Sequence, residues 1–94
     1  MKYFVYLLVS KKYDKFYSYV GITNNLKKRI TLHNSSKGAK YTRGKIWYLA
    51  YKKSYNSKSK ALKEDYSLKK DKKKREKIKL KFNLKNENFN SFTI

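Results

Sequence analysis

The stretch from Tyr17 to Gly44 constrains the fold more than any other part of the chain. It passes from an apolar segment, residues 17–22, through the polar residues 23–25 into an amphipathic segment and then a basic loop. This order predicts a strand, a short turn and a helix, with the loop following the helix. The rest of the chain is interpreted as support for this unit.

The predicted helix, residues 26–34, carries a cation and a histidine on its inward face. At about 100° per residue, Leu26 and Ile30 form an apolar stripe, and Arg29 and His33 lie within the same arc. A guanidinium is planar and permanently charged, so on an inward face it suits a phosphate better than a hydrophobic core. Arg29 and His33 are therefore candidate functional residues.

The formal charge of +20 indicates a polyanionic partner, because each phosphate contact releases condensed counterions. Nucleic acid is favoured over an anionic membrane surface, since no segment predicts a helix with one large apolar and one basic face. No apolar run approaches the roughly 20 residues of a membrane span, and the N-terminal run is too short for a signal peptide. The absence of cysteine excludes disulfides and thiolate metal sites. We expect a cytoplasmic location, or wherever DNA is found.

The remaining pattern predicts one α+β domain with a small, three-stranded, mainly antiparallel sheet flanked by two to three helices. Strands are expected at residues 3–10, 16–22 and 46–51, and a second helix at 57–70. A short third helix is expected to dock weakly through Ile78 and Leu80. Residues 1–81 would form the domain, and 82–94 a polar C-terminal tail or a short added strand.

The second predicted helix places an acid on its inward face. Asp65 lies in the middle of the apolar side, while Glu64 lies on the opposite side. An unpaired buried carboxylate is costly, so Asp65 needs a partner. Arg29, a nearby lysine or a divalent cation would each supply one. The apolar side itself is predicted to consist of Ala61, Leu62, Tyr66 and Leu68.

The loop at residues 35–44 contains Lys37, Lys40 and Arg43 together with two glycines and no acid. It is expected to be flexible, and it is long for a small domain. Loops of this kind are more often functional than accidental.

Together these residues resemble the GIY-YIG nuclease domain, most closely its small stand-alone bacterial and viral members. The resemblance rests on Tyr6 in the first strand, Tyr19 and Gly21 in the second, Arg29 and His33 four residues apart, and the later inward acid. It covers roughly residues 3–75. Four stretches carry it: GIT at 21–23, RITLHN at 29–34, KGAKYTRG at 37–44 and the SKSKAL segment that begins at residue 57.

The resemblance implies metal-dependent hydrolysis of DNA phosphodiester bonds. Tyr6 and Tyr19 would orient or deprotonate the attacking water, His33 would help to accept its proton, and Arg29 would hold the charge on the phosphoryl oxygens. The acid at position 65 would bind one Mg²⁺ or Mn²⁺ ion.

Around this centre, Lys37, Lys40 and Arg43 would bind flanking phosphates without reading bases. Gly21 would have a structural role in its motif. DNA is expected in preference to RNA, single-stranded or branched rather than a long duplex, with low sequence specificity or a protein partner that supplies specificity. The oligomeric state stays open.

Two departures from the family pattern leave alternatives open. The first motif reads Phe4-Val5-Tyr6 and keeps only the final tyrosine, and the metal-binding position, typically glutamate, is Asp65. The chain is then either an endonuclease, weakened by the shorter carboxylate, or a basic nucleic-acid-binding module on the same fold. A basic RNA- or ribosome-associated protein is a third interpretation. The presence of Tyr19 and Arg29 beside the other catalytic groups favours the nuclease.

Overall fold

The computed structural model describes residues 2–12 and 15–85, and it has an α+β architecture. Three strands form one antiparallel sheet in the order β2-β1-β3. Three α-helices flank the sheet, which confirms the predicted fold class. The strands are β1 (Tyr3–Lys12), β2 (Lys15–Thr23) and β3 (Tyr48–Tyr55), and the helices are α1 (Leu26–Asn34), α2 (Lys58–Lys70) and α3 (Lys72–Lys85).

The central strand β1 divides the core into two parts, because successive side chains of a strand point to opposite faces. Val5, Leu7 and Val9 pack on the face that also contains Ala61 and Leu68 of α2. Tyr6 and Leu8 point to the other face, where they pack with Trp47 and with the apolar stripe of α1. Helices therefore cover both faces of the sheet, and Tyr6 is buried on the side of α1.

Helix α1 has the bounds and the inward face that the sequence predicts. It is capped by Asn25, whose side chain accepts a hydrogen bond from the Lys28 N–H at 3.2 Å. Such a cap satisfies one of the four free N–H groups at a helix start. The apolar side chains Leu26 and Ile30 pack against the core, and His33 in the last turn is fully buried.

The third strand begins later and ends later than the predicted range 46–51. The backbone N–H and C=O of Trp47 are bonded to the side chain of Asn34 at 2.7 and 3.2 Å, so the ladder with β1 begins at Tyr48. A side chain distant in sequence thus sets the start of β3.

Helix α2 has a narrower buried face than the sequence indicates. Ser57 caps it, and Ala61, Asp65 and Leu68 are its buried residues. Leu62 and Tyr66 are exposed, so their assignment to the apolar face is wrong. Both lie about 100° or more around the helix from Ala61, beyond the stripe that reaches the sheet.

Helix α3 is longer than predicted and packs through different residues. Asp71 caps it by accepting a hydrogen bond from the Lys74 N–H at 3.0 Å. Ile78 and Phe82 pack against the core, whereas Leu80 is 61% exposed, so docking through Leu80 is wrong. Residues 82–85, predicted as the start of a tail, continue the helix. The rest of that predicted tail, residues 86–94, lies outside the described residues.

Among the residues that the structure describes, no helix is both long and apolar enough to cross a membrane.

The packing of α3 predicts unequal effects of two alanine substitutions. Phe82→Ala should lower the free energy of unfolding by about 1–3 kcal/mol, because a partly buried ring that contacts the core is removed. Leu80→Ala, two residues earlier on the exposed side, should change it by less than about 0.5 kcal/mol. Urea unfolding of both variants measures the difference. Equal losses would contradict the packing of α3 described here.

Candidate active site

The structure brings together the four residues predicted as catalytic. Tyr6 of β1 and Tyr19 of β2 lie on the same face of the sheet, with ring centroids 6.4 Å apart. The His33 ring lies 4.9 Å from that of Tyr19. Arg29, one turn before His33 on α1, lies close enough to both tyrosine hydroxyls for each of them to raise its pKa. Residues from three elements therefore form one polar cluster over a largely apolar base.

The hydrogen bonds of this cluster have a defined direction. Thr42 Oγ1 donates to the carbonyl of Ala39 at 2.8 Å, so it accepts from His33 Nδ1, also at 2.8 Å. Nδ1 then carries the proton of the neutral imidazole, and Nε2 is an acceptor. The Tyr6 hydroxyl, 3.0 Å from Nε2, donates to it. This assignment follows from the hydrogen-bond network.

Burial and charge keep both rings neutral near pH 7. Burial raises the pKa of Tyr6 to about 12, although the hydrogen bond from Arg29 opposes the rise. Burial lowers the pKa of His33 below its ordinary 6.5, and the positive charge of Arg29 lowers it further. The cluster thus pairs a protonated phenol with an unprotonated imidazole nitrogen.

Two glycines allow the rings to approach the backbone closely. Gly21 lies opposite Tyr6 in the β1–β2 ladder, and a Cβ there would overlap the hydroxyl end of the Tyr6 ring. A Cβ on Gly38 would overlap Nδ1 of His33. Both positions require glycine for space rather than for backbone conformation. Gly21 therefore lies where a structural role in its motif is expected.

The loop after α1 is tied to the cluster through Thr42, whose side chain is bonded to His33. The Trp47 indole Nε1–H donates to the Thr42 carbonyl at 2.9 Å, and Asn34 binds the Trp47 backbone. Thr42, Asn34 and Trp47 support the cluster through these bonds, and the sequence analysis did not identify them. Asn34 ends the RITLHN stretch and Thr42 lies in KGAKYTRG, so the motifs contained both without indicating their roles.

The three loop cations predicted to bind phosphates are exposed. Lys37 precedes the 3-10 turn Lys40–Thr42, Lys40 opens it and Arg43 follows it. None of the three takes part in the buried hydrogen bonds described above. They are surface charges on the loop whose Thr42 is bonded to His33.

Asp65 is buried, as predicted, with 8% of its surface exposed. Its Oδ2 pairs with Lys69 one turn later at 3.1 Å, so the nearby lysine is its partner. No salt bridge joins it to Arg29 in the described part of the chain. The other carboxylate oxygen, Oδ1, is buried without a hydrogen-bond partner. Asp65 is also close enough to Tyr6 to add to the rise of the Tyr6 pKa.

The donor set fits a hydrated divalent ion. Within residues 2–12 and 15–85, no group of three or more potential ligand side chains forms a metal cage. Mg²⁺ usually keeps several waters and binds proteins through one or two carboxylates. The unpaired Oδ1 of Asp65 is an oxygen ligand of that kind, so the residues present fit such an ion.

Residues 2–79 match the family model of the GIY-YIG catalytic domain. The chain belongs to the GIY-YIG family. The match confirms the resemblance drawn from Tyr6, Tyr19, Arg29 and His33. Membership of the family gives the chain a nuclease-type fold.

Its relatives include small GIY-YIG proteins of the UPF0213 group. A UPF0213 protein of Staphylococcus haemolyticus is 38% identical over 69 residues, which cover 72% of this chain and 80% of the relative. One from Oceanobacillus iheyensis is 46% identical over 52 residues, covering 54% and 60%. The chain thus spans less than two thirds of the second relative. The solution NMR structure of a UPF0213 protein from Bacillus halodurans is 34% identical, with 86% of each chain covered and a TM-score of 0.46.

The lowered pKa of His33 predicts a pH dependence of stability. Just below pH 6.5, His33 is protonated in the unfolded chain but stays neutral in the folded chain, because its pKa is lower there. The free energy of unfolding should therefore fall as the pH drops from 6.5 towards the folded pKa, and level off below it. The slope cannot exceed about 1.4 kcal/mol per pH unit for one proton.

Urea unfolding of the wild type and of His33→Gln between pH 7.5 and 4.5 isolates this contribution, because the carboxylates titrate in both proteins. The difference between the two curves should shrink as the pH falls. A difference that is independent of pH, or that grows at low pH, would contradict a buried neutral imidazole.

Proposed function

We propose that this chain is a metal-dependent endonuclease that hydrolyses phosphodiester bonds of DNA with low sequence specificity. The observation that carries the proposal is the directed series Tyr6 to His33 to Thr42, with Arg29 close to Tyr6 and Tyr19. Phosphate binding alone does not require a buried tyrosine that donates to an oriented imidazole. General acid–base catalysis, in contrast, uses a positioned group that can pass its proton to a neighbouring base.

Phosphates would be bound by cations at two levels. Arg29 would hold the oxygens of the scissile phosphate, where its fork can donate two parallel hydrogen bonds. Lys37, Lys40 and Arg43 on the surface loop would hold phosphates of flanking nucleotides. Such contacts position a strand without reading its sequence, which supports low specificity.

The proton of the attacking water would be transferred to Tyr6 while the proton of Tyr6 passes to His33. With a pKa of about 12, Tyr6 is a phenol at neutral pH and has no free basic site while it keeps its proton. Its oxygen can take the proton of the water as its own proton passes to Nε2 of His33, 3.0 Å away. Thr42 holds the imidazole in the orientation that leaves Nε2 open. The charge of Arg29 disfavours a lasting imidazolium, which promotes release of the proton afterwards.

Tyr19 would act as an orienting group. Its side chain is close to Arg29 and its ring centroid lies 4.9 Å from that of His33, so it orients both relative to Tyr6. Fixed partners reduce the reorganisation needed when the water attacks.

Asp65 would hold one Mg²⁺ or Mn²⁺ ion through Oδ1, while Lys69 stays paired with Oδ2. When bound, the ion supplies positive charge that stabilises the leaving 3′ oxygen.

A second candidate is a basic nucleic-acid-binding module with an impaired catalytic site. Two observations favour it: aspartate is one methylene shorter than the glutamate typical of this position, and Lys69 already neutralises one of its oxygens at 3.1 Å. Both reduce the reach and the charge available to a metal ion. The two candidates differ in whether a longer carboxylate restores cleavage.

Cleavage assays on labelled DNA with Mg²⁺ or Mn²⁺ test the proposal. The wild type should cut, and Arg29→Ala should lower the single-turnover rate by about 10²- to 10³-fold, as for the loss of one preorganised charge donor. Asp65→Ala should stop cleavage yet keep binding, and Asp65→Glu should keep or raise the rate. Lys28→Ala is the matched control, because Lys28 is exposed on the same helix.

The same assay separates the alternatives. A wild type that binds without cutting, combined with a cutting Asp65→Glu variant, identifies the binding module. If neither protein cuts with either metal, the nuclease proposal is wrong. A basic RNA-associated protein would instead lose RNA binding steeply with salt, and Arg29→Ala would cost only one phosphate contact.

A further inference from the structure

Tyr41, in the middle of the 3-10 turn, is an exposed ring with aromatic support behind it. It stacks on Tyr19 with ring centroids 6.3 Å apart and an interplanar angle of 23°. Trp47 lies 6.1 Å from it and Tyr17 meets it edge-on at 6.5 Å. Despite these three neighbours, 49% of Tyr41 remains exposed. An apolar ring exposed to this extent offers contact area that the fold itself does not use.

The position of Tyr41 is fixed by the bonds of the next residue. Thr42 is fully buried and bonds with its side chain to His33 and Ala39, and with its carbonyl to the Trp47 indole. The backbone that carries Tyr41 is therefore held from both sides. A ligand that stacks on the ring has little conformational entropy left to remove.

Lys45 places a cation beside this ring. Its Nζ lies 5.0 Å from the centroid of Tyr41 and 4.9 Å from that of Tyr17, and it donates to the Tyr41 carbonyl at 3.0 Å. A cation–π contact at an exposed site is weaker than the stacking of a nucleobase on an aromatic side chain. A base can thus replace the ammonium over the ring, and the ammonium can pair with a phosphate of the same strand.

Tyr19 connects Tyr41 to the active site. The same tyrosine stacks on Tyr41, lies against His33 and is close to Arg29. Tyr41 is therefore one ring away from the groups proposed to hold the scissile phosphate. The sequence from residue 15 to residue 63 contains no acid, so no negative side chain of this stretch opposes a strand laid across the loop.

We propose that Tyr41 stacks an unpaired nucleobase next to the scissile phosphate, which makes single-stranded DNA or an unpaired end the substrate. In a duplex the faces of a base are covered by its neighbours, so only an unstacked base can lie on the ring. The position of the base next to a scissile phosphate rests on the proposed nuclease function, whereas stacking of the base on Tyr41 does not require cleavage.

Tyr66 of α2 provides a matched control. It is 60% exposed and has Lys70 Nζ 4.3 Å from its ring centroid, so it also combines an exposed ring with a cation. It has no aromatic neighbour within the described ranges and belongs to no contact of the active site. A general effect of surface tyrosines on DNA binding would appear at both positions.

Fluorescence anisotropy with labelled oligothymidine in EDTA tests stacking without cleavage. Tyr41→Ala should weaken single-strand binding by roughly 5- to 150-fold, the range for loss of one stacked base. Tyr41→Phe should bind like the wild type, while Tyr41→Leu, which keeps apolar bulk in the loop, should be as weak as Tyr41→Ala. Tyr66→Ala should change affinity by less than about twofold. A blunt duplex should bind all variants nearly equally.

The test is completed on the shortest oligothymidine that the wild type still binds, which allows only one register, with one abasic residue moved position by position. In the wild type, one abasic position should cost about as much affinity as Tyr41→Ala, and in Tyr41→Ala that position should cost nothing. Equal losses on single strand and duplex, or no sensitive position in the wild type, would overturn the stacking site. No hydrolysis is measured in this binding assay, so its outcome does not depend on cleavage. A protein that never cuts DNA would contradict the proposed function, while the binding data would still decide whether Tyr41 stacks a base.

Discussion

The hydrogen bond from Tyr6 to His33 is the contact on which the site depends. It joins the central strand to the last turn of α1 across the buried face of the sheet, at 3.0 Å. Both rings are fully buried, so each must find a polar partner, and each satisfies the other. Gly21 and Gly38 leave the space for the two rings, because a Cβ at either position would overlap Tyr6 or His33. The fold and the candidate chemistry therefore share one contact.

Arg29 decides how this pair can react. A guanidinium beside Tyr6 stabilises the phenolate form, while its charge near His33 disfavours the imidazolium. The two effects act in opposite directions on a proton shared by the rings. Burial keeps that proton on the tyrosine at neutral pH, and a bound phosphate that neutralises Arg29 would make the imidazole a stronger base. Substrate binding and proton transfer are thereby coupled through one side chain.

The sequence predicted the parts of the site that follow helical or strand periodicity. Arg29 and His33 were placed inward by the phase of α1, and burial of Asp65 followed from the phase of α2. Thr42 and Trp47 could not be found in this way, because their bonds to His33, to Asn34 and to each other join residues 5 to 13 positions apart across a loop without a period. The extent of α3 was missed for a related reason: its charge-dense sequence indicated the contact of Ile78 but not that of Phe82, which was assigned to the tail.

The protonation of His33 tests the central claim most directly. It is the only histidine in the chain, so its two ring nitrogens give unambiguous ¹⁵N resonances. At pH 7 we expect a neutral ring with the proton on Nδ1 and an unprotonated Nε2 that accepts a hydrogen bond from Tyr6. A ring protonated on Nε2, or a charged imidazolium at that pH, would contradict the directed hydrogen bonds and the proton path built on them.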